Sequence, residues 1–234
     1  MRLGKAQVKH DKRTLKLAKY MLALPSPPAK CDWTKGVPRW PMYANDTLGD
    51  CTIAAAGHME QLWANQGRPY YEPLSLGIVR VYNSLSPNDE GCYELDVLNY
   101  WRKKGIPGVD HKITAYASIK PSSIVNVKLA INLFGSVYSG LALPRSAQNQ
   151  KVWKVASYDS KPGSWGGHAV PLVAYDSKYV TCVTWGKLLK MTWGFWSRYA
   201  DEAYGVLDQS WFGADNVSPA GFNLAALKSD LKAL

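Results

Sequence analysis

Small and apolar side chains recur at helical spacing through CTIAAAGHMEQLWANQG, residues 51–67. Ile53, Ala54, Gly57, Met59, Leu62 and Trp63 supply an apolar surface, Asp50 stands where an N-cap belongs, and Gly67 suits the stop. The same period predicts helices in GIVRVYNSL (77–85), in ELDVLNYWRKKGI (94–106, ended by Gly105 and Pro107) and in SSIVNVKLAINLFG (122–135). In the last of these Val125, Leu129, Ile131 and Leu133 take apolar positions. The pattern then changes to β-branched and aromatic runs separated by turns: SVYSGLALP (136–144), GHAVPLVAYD (167–176) and YVTCVTWG (179–186). MTWGFWSRYADEAYGVLD (191–208) continues the sheet and carries a short helix over 195–203. Helices first and strands later predict an α+β protein whose site lies between two lobes.

Two ends stand outside this pattern. ALPSPPAKCDW (23–33) breaks any helix with three prolines and reads as an extended linker. It bounds a basic N-terminal arm, 1–23, from a main domain, 24–218, with a helical lobe of about 45–115 and a β-rich lobe of about 120–218. The tail 219–234 places Leu224, Leu227, Leu231 and Leu234 on one helix stripe, which docks on its own domain or joins the chain to a partner copy as an oligomer.

Composition narrows the class. The 234 residues are 47% hydrophobic and include ten tryptophans, enough to bury a sizeable core. The net charge of +10 is unevenly placed, for residues 1–19 carry seven Lys and Arg against Asp11 alone. A basic arm of this kind is a solvated, partly helical extension, or a contact for an acidic protein surface or nucleic acid. Aromatic RNA-binding motifs and zinc fingers are missing, so nucleic acid is a contact at most and not a substrate. Cys31, Cys51, Cys92 and Cys182 show no CxxC pair and no zinc spacing, and no cofactor or metal is expected. YMLAL (20–24) is too short for a secretory signal, and no stretch approaches a membrane span, so a soluble, cytoplasmic protein is the expectation.

The chemistry centres on Cys51. A helix N-terminus favours a thiolate through its unpaired N–H groups, and an imidazole nearby favours it more. Asp50 beside it works the other way unless its carboxylate turns onto the helix N–H groups. Of four histidines, His10 lies in the basic arm and His111 in a loop. His58 is two turns along the same helix, roughly 10 Å away by helix rise, which suits packing or capping and not a base. His168 follows two glycines at the head of an apolar strand that fixes the imidazole's direction, and it is the candidate partner.

LPSPPAKCDW, YANDTLGDCTIAAA, HAVPLVAY and VTWGKLLKMTWGFW stand in the order of four segments of the papain-like cysteine peptidases, which the chain resembles from Leu24 to Trp196. The resemblance implies a helical lobe and a β-rich lobe with a substrate cleft between them. It assigns Cys51 as nucleophile, His168 as general base, Asn45 in place of the oxyanion-stabilising Gln, and Trp185 as the shield of the catalytic hydrogen bonds. It also has departures. Val183 stands where the family's orienting Asn belongs, and Thr184 is the nearest substitute. Leu48-Gly49-Asp50-Cys51-Thr52 lacks the family's disulfide cysteine and following aromatic. The Cys51–His168 spacing of 117 residues is shorter than the family's roughly 130–150. A divergent bacterial or phage-type relative fits better than a secreted, disulfide-braced protease. The implied function is a thiol hydrolase cleaving a peptide or amide bond through an acyl-enzyme. The alternatives are a catalytically silent papain-fold binding or structural subunit of a larger assembly such as a phage particle, and a transglutaminase-like acyl transferase. Trp40, Trp165 and Trp193 are candidates to line the cleft or to pack the core.

Overall fold

The computed structural model describes residues 1–20, 26–67, 71–106, 111–209, 211–212, 217–218 and 220. Three sequence expectations, the apolar run ending at Leu24, the helix-ending Pro107 and the leucine stripe of 224–234, lie outside them.

Helix α1 (Cys51–Gly67) is the axis of the molecule. It is buried on all sides, which explains its run of small residues. A Cβ at Gly57 would press into Ile78 and Tyr43. Helices α2 (Ser75–Leu85) and α3 (Glu94–Lys104) pack against it. Trp63 of α1 and Trp101 of α3 stack at 5.7 Å. Each satisfies its buried indole N–H, Trp101 on Glu60 Oε1 (2.9 Å) and Trp63 on the carbonyl of Phe134 (2.8 Å). Phe134 ends α4 (Ile124–Phe134), which Gly135 closes in the left-handed conformation.

The sheet has the strand order β1-β3-β8-β4-β5-β6-β7, with β2 added beside β5, among the described residues. Its strands are β1 (Leu15–Lys16), β2 (Cys31–Asp32), β3 (Ala115–Ser118), β4 (Val137–Leu143), β5 (Gly166–Tyr175), β6 (Tyr179–Thr184), β7 (Lys187–Thr192) and β8 (Ala200–Leu207). All neighbours pair antiparallel except β1 with β3. The fold is therefore α+β, as the order of helical and strand patterns indicates.

Two local differences from the sequence reading have clear causes. The helix expected over 195–203 is α5, Trp193–Tyr199, capped by Thr192 Oγ1 accepting from the Phe195 N–H (3.1 Å). From Ala200 the chain is extended, because β8 lies between β3 and β4 and both its neighbours require backbone partners. Strand β3 was not expected. Four residues are too few to show a period, and pairing with β8 decides its conformation.

Strand β5 positions the site. Its first half pairs with β4 from Gly166 to Leu172, whereas its pairing with β6 begins only at Leu172. Pro171 shares the strand parity of Gly167 and Ala169, so its missing N–H falls on the edge that β6 leaves open. That open edge, above the start of α1, is the floor of the site.

Candidate active site

Cys51 is the first residue of α1. The Asp50 carbonyl accepts the N–H groups of Ile53 (2.9 Å) and Ala54 (3.0 Å) to start the helix. On the open edge of β5, the N–H of Ala169 lies 3.4 Å from Cys51 Sγ, so the strand that carries His168 meets the sulfur directly. A second backbone N–H, from Gly4, also reaches the sulfur. Burial pushes the Cys51 thiol up to about 12, and these two donors only partly counter it.

His168 is buried, and its Nε2 shares a 2.7 Å hydrogen bond with Thr184 Oγ1. Its Nδ1 has no hydrogen-bond partner. Burial holds the imidazole down to about 3. The indole of Trp185 stacks on the ring at 4.4 Å with the planes 14° apart. Trp185 and Gly186 form the two-residue turn between β6 and β7, with φ of 45° and 70°. That is the hairpin turn whose twist matches the flanking strands, and it normally asks for Asn or Gly at its first central position. A tryptophan held there is strained, and the strain sets the indole over His168.

Asn45 follows a second left-handed pair, Tyr43 (φ 53°) and Ala44 (φ 69°), in a turn closed by the Asn45 N–H on the Met42 carbonyl (3.1 Å). Its Nδ2 donates to the Leu48 carbonyl at 3.2 Å. Asn45, Cys51, His58, Thr184 and Trp185 border one cavity of about 10 Å³, room for a water and not for a substrate. His58 donates through Nε2 to the Pro41 carbonyl (2.8 Å) and packs between Trp40 and Tyr43, which ties the loop before the site to α1.

Asp50 departs from expectation. It is fully buried, and its carboxylate does not cap the helix. Asn45 lies close enough to favour the ionised form slightly but directs its N–H at Leu48, and neither Asp50 oxygen has a well-formed hydrogen bond. Burial raises the Asp50 carboxyl to about 7. Near neutral pH it is therefore about half protonated, which weakens its opposition to a thiolate. Val183 is buried against the same small cavity.

The basic arm is not a solvated extension throughout. Arg2–Ala6 cross the site, tied to both walls by backbone hydrogen bonds. The Arg2 N–H donates to the Asn45 carbonyl (3.1 Å), and the indole N–H of Trp185 donates to the Arg2 carbonyl (3.3 Å). The Lys5 N–H donates to the Gly167 carbonyl (3.1 Å) on the open edge of β5. On the other wall the Cys92 N–H donates to the Gly4 carbonyl (2.8 Å), and the Ala6 N–H to the Cys92 carbonyl (2.9 Å), a parallel bridge. A Cβ on Gly4 would fall on the Gly49 carbonyl, one on Gly91 (φ 82°) on the Gly4 carbonyl, and one on Gly167 on the Lys5 carbonyl. Glycine is required where the two backbones approach this closely. Sequence reasoning passed over this crossing. Its signals are a lone glycine at position 4 in a basic run, and Glu94 and Glu202 at inward positions, since a buried carboxylate calls for a partner.

This is the fold of the papain-like cysteine proteases, with the cysteine at the head of the central helix and the histidine on the facing strand. Among solved structures the chain is similar to xylellain, a cysteine protease from Xylella fastidiosa (TM-score 0.70, 18% identity, 88% of this chain and 95% of that one). It is also similar to procathepsin B S9 from Trypanosoma congolense (0.64, 12%, 88% and 87%) and to procathepsin L2 proteinase from Tenebrio molitor larval midgut (0.62, 14%, 88% and 78%). No protein-family model and no curated protein matches the sequence. The four cysteines, all among the described residues, form no disulfide. Among the described residues no helix is long and apolar enough to cross a membrane.

Proposed function

We propose that the protein is a thiol hydrolase that cleaves a peptide or amide bond through Cys51 and His168. The observation that carries this reading is the pairing of His168 Nε2 with Thr184, which leaves Nδ1 of a buried imidazole without a partner on the strand that touches the Cys51 sulfur. The Nε2–H donates to Thr184 Oγ1 and so keeps the Nδ1 lone pair as the base. Nδ1 takes the Cys51 proton, and the sulfur attacks the scissile carbonyl carbon. The oxyanion is met by the Cys51 backbone N–H and the second N–H of the Asn45 amide. His168 returns the proton to the amine as the C–N bond breaks. Water, deprotonated by the same imidazole, then hydrolyses the thioester to the acid and regenerates the thiol. Trp185 holds the ring plane and keeps water from the His168–Thr184 hydrogen bond.

In the arrangement described, Arg2–Ala6 fill the groove, and both partners are neutral because that segment and the core exclude water. Substrate enters when the segment leaves. The neutral pair also favours a second reading, a catalytically silent papain-fold binding or structural subunit.

Two measurements separate them. Lys5→Glu, which sets a fourth carboxylate among those around Lys5, should release the segment. It should raise the Cys51 alkylation rate at pH 7 at least tenfold over wild type, and His168→Ala in that background should reverse most of the gain. The same variant should hydrolyse fluorogenic peptide amides, with no turnover in Cys51→Ala. If neither wild type nor Lys5→Glu exceeds Cys51→Ala on any peptide, the hydrolase reading fails and the silent one stands.

A further inference from the structure

The Leu48–Gly49 peptide, just before Cys51, is held at both of its polar atoms. Its carbonyl, on Leu48, accepts from Asn45 Nδ2 at 3.2 Å. Its N–H, on Gly49, donates to Asp89 Oδ1 at 2.8 Å, across 40 residues of sequence. A Cβ at Gly49 would lie 3.1 Å from both Asp89 Oδ1 and the Tyr82 hydroxyl, a contact tight enough to favour glycine at this approach.

Asp89 belongs to the loop that leaves α2, and that loop presents it. The Asp89 N–H donates to the Ser86 carbonyl (3.1 Å), and the Glu90 N–H to Ser86 Oγ (2.9 Å). Tyr82, buried in α2, accepts the Gly91 N–H at its hydroxyl (3.2 Å) and donates that hydroxyl to Asp89 Oδ1 (2.6 Å). Asp89 itself takes φ of 56°, a left-handed conformation that costs a non-glycine residue free energy. Arg2 pairs with its other oxygen, Oδ2, at 2.7 Å. Burial works to raise the Asp89 carboxyl, but the Tyr82 hydroxyl, the Gly49 N–H and Arg2 outweigh it and hold it below the usual carboxylate value. The group is therefore an anion at neutral pH.

Two acceptors compete for the Asn45 amide. It meets the Leu48 carbonyl, and it lies close to the buried Asp50 carboxyl, which has no well-formed hydrogen bond of its own. An amide turned onto Asp50 loses the direction that an oxyanion needs. A carboxylate bound to a peptide N–H pushes electron density onto the carbonyl of the same peptide and makes it the stronger acceptor. Asp89 thus acts on Asn45 through one peptide group. No disulfide braces this loop, since Leu48 stands where the family's cysteine would and all four cysteines are free. We propose that Asp89 is a positioning residue for the oxyanion site: through the Leu48–Gly49 peptide it keeps the Asn45 amide aimed at the oxygen of the scissile carbonyl. The use of that amide rests on the thiol hydrolase reading, whereas the coupling from Asp89 to Asn45 is measurable without turnover.

The first measurement is therefore spectroscopic. With asparagine isotopically labelled at its side-chain nitrogen, the Asn45 amide signal is identified by its loss in Asn45→Ala. Asp89→Asn removes the charge, keeps an acceptor for Gly49 and tolerates the positive φ. It should move the hydrogen-bonded Asn45 amide proton upfield and speed its exchange with solvent. Arg2→Ala, which frees Oδ2 but leaves the carboxylate on Gly49, should leave that proton close to its wild-type position. The second measurement is kinetic, in the Lys5→Glu background. Asp89→Asn should lower kcat on a fluorogenic peptide amide by about five- to tenfold with KM little changed, and weaken a peptide aldehyde inhibitor by a similar factor. Added to Asn45→Ala, it should cost less than about twofold, because the group it acts through is gone. An Asn45 signal unmoved by Asp89→Asn overturns the proposal. So does an equal loss of kcat with Asn45 present or absent, which marks a structural role alone. A moved signal with no turnover above Cys51→Ala in any variant sinks the hydrolase reading and the oxyanion role with it, and leaves only the coupling.

Discussion

Thr184 is the residue on which the His168 geometry turns. It stands one position from where an Asn was expected, and its hydroxyl reaches Nε2 because the Trp185–Gly186 turn ends β6 directly beside the ring. A buried imidazole that loses this bond loses its tautomer and orientation, a penalty of about 1–3 kcal/mol. On the proposed hydrolase reading, Thr184→Val in the Lys5→Glu background should lower kcat by roughly 10- to 100-fold on a fluorogenic peptide with KM little changed, and Thr184→Ser should keep most of the activity. Equal loss in both variants would deny the hydroxyl its role. Thr184 could be named as a candidate from its place in VTWG, and Cys51 and His168 from a helix start and a GGH strand, because each of those signals is local. The lack of a helix cap at Asp50 was not legible. Side-chain direction there is set by burial against neighbours far along the chain.

The elements with the clearest sequence periods lie close to their expected bounds: α1 over 51–67, α3 from 94, α4 within 122–135. α1 depends least on context, since its start, its small-residue run and its glycine stop all agree. The turns on either side of the site were harder to read, because they set non-glycine residues at positive φ. Their strain can be measured. Gly186 at φ 70° tolerates a Cβ poorly, whereas Ala44 at φ 69° is already a strained choice. Gly186→Ala should destabilise by about 1–2 kcal/mol and Ala44→Gly should be neutral or stabilising by up to about 1 kcal/mol, in urea unfolding. Destabilisation by Ala44→Gly as large as that by Gly186→Ala would contradict the strain at this turn.

The whole molecule carries a pH signature of its buried groups. Burial holds His58 to about 4 and His168 to about 3, below the ordinary imidazole value, so folding favours their neutral forms. Stability from this source is complete above about pH 6.5 and is lost as pH falls toward 4, by several kcal/mol in all. Asp50 acts with the opposite sign. Raised to about 7, it stabilises below its unfolded value near 3.8 and loses that contribution as pH rises through 7. Between about pH 6.5 and 4 the histidine loss is opposed by Asp50 and by the raised Glu94 and Glu202, so the readout is a difference between variants: the melting temperature of wild type relative to His58→Gln should fall as pH drops through that range. Asp50→Asn should be more stable than wild type at pH 8, by a difference that shrinks at pH 4. A difference between wild type and His58→Gln that stays constant from about pH 6.5 to 4 would mean that His58 is not buried as described.

The sequence by itself determined the α+β class, the helix that begins at Cys51, the strand that carries His168 and the resemblance that joins them. All of these follow from local period, turn chemistry and residue order. Tertiary structure alone decided that residues 2–6 lie across the sulfur, that Lys5 meets Glu94, Asp201 and Glu202, and that β5 leaves an edge open to receive a strand. Those contacts join positions from 40 to nearly 200 residues apart, and nothing in a local window marks such a pair. They form because a buried charge and an unpaired strand edge each need a partner, and only the folded chain brings one within reach.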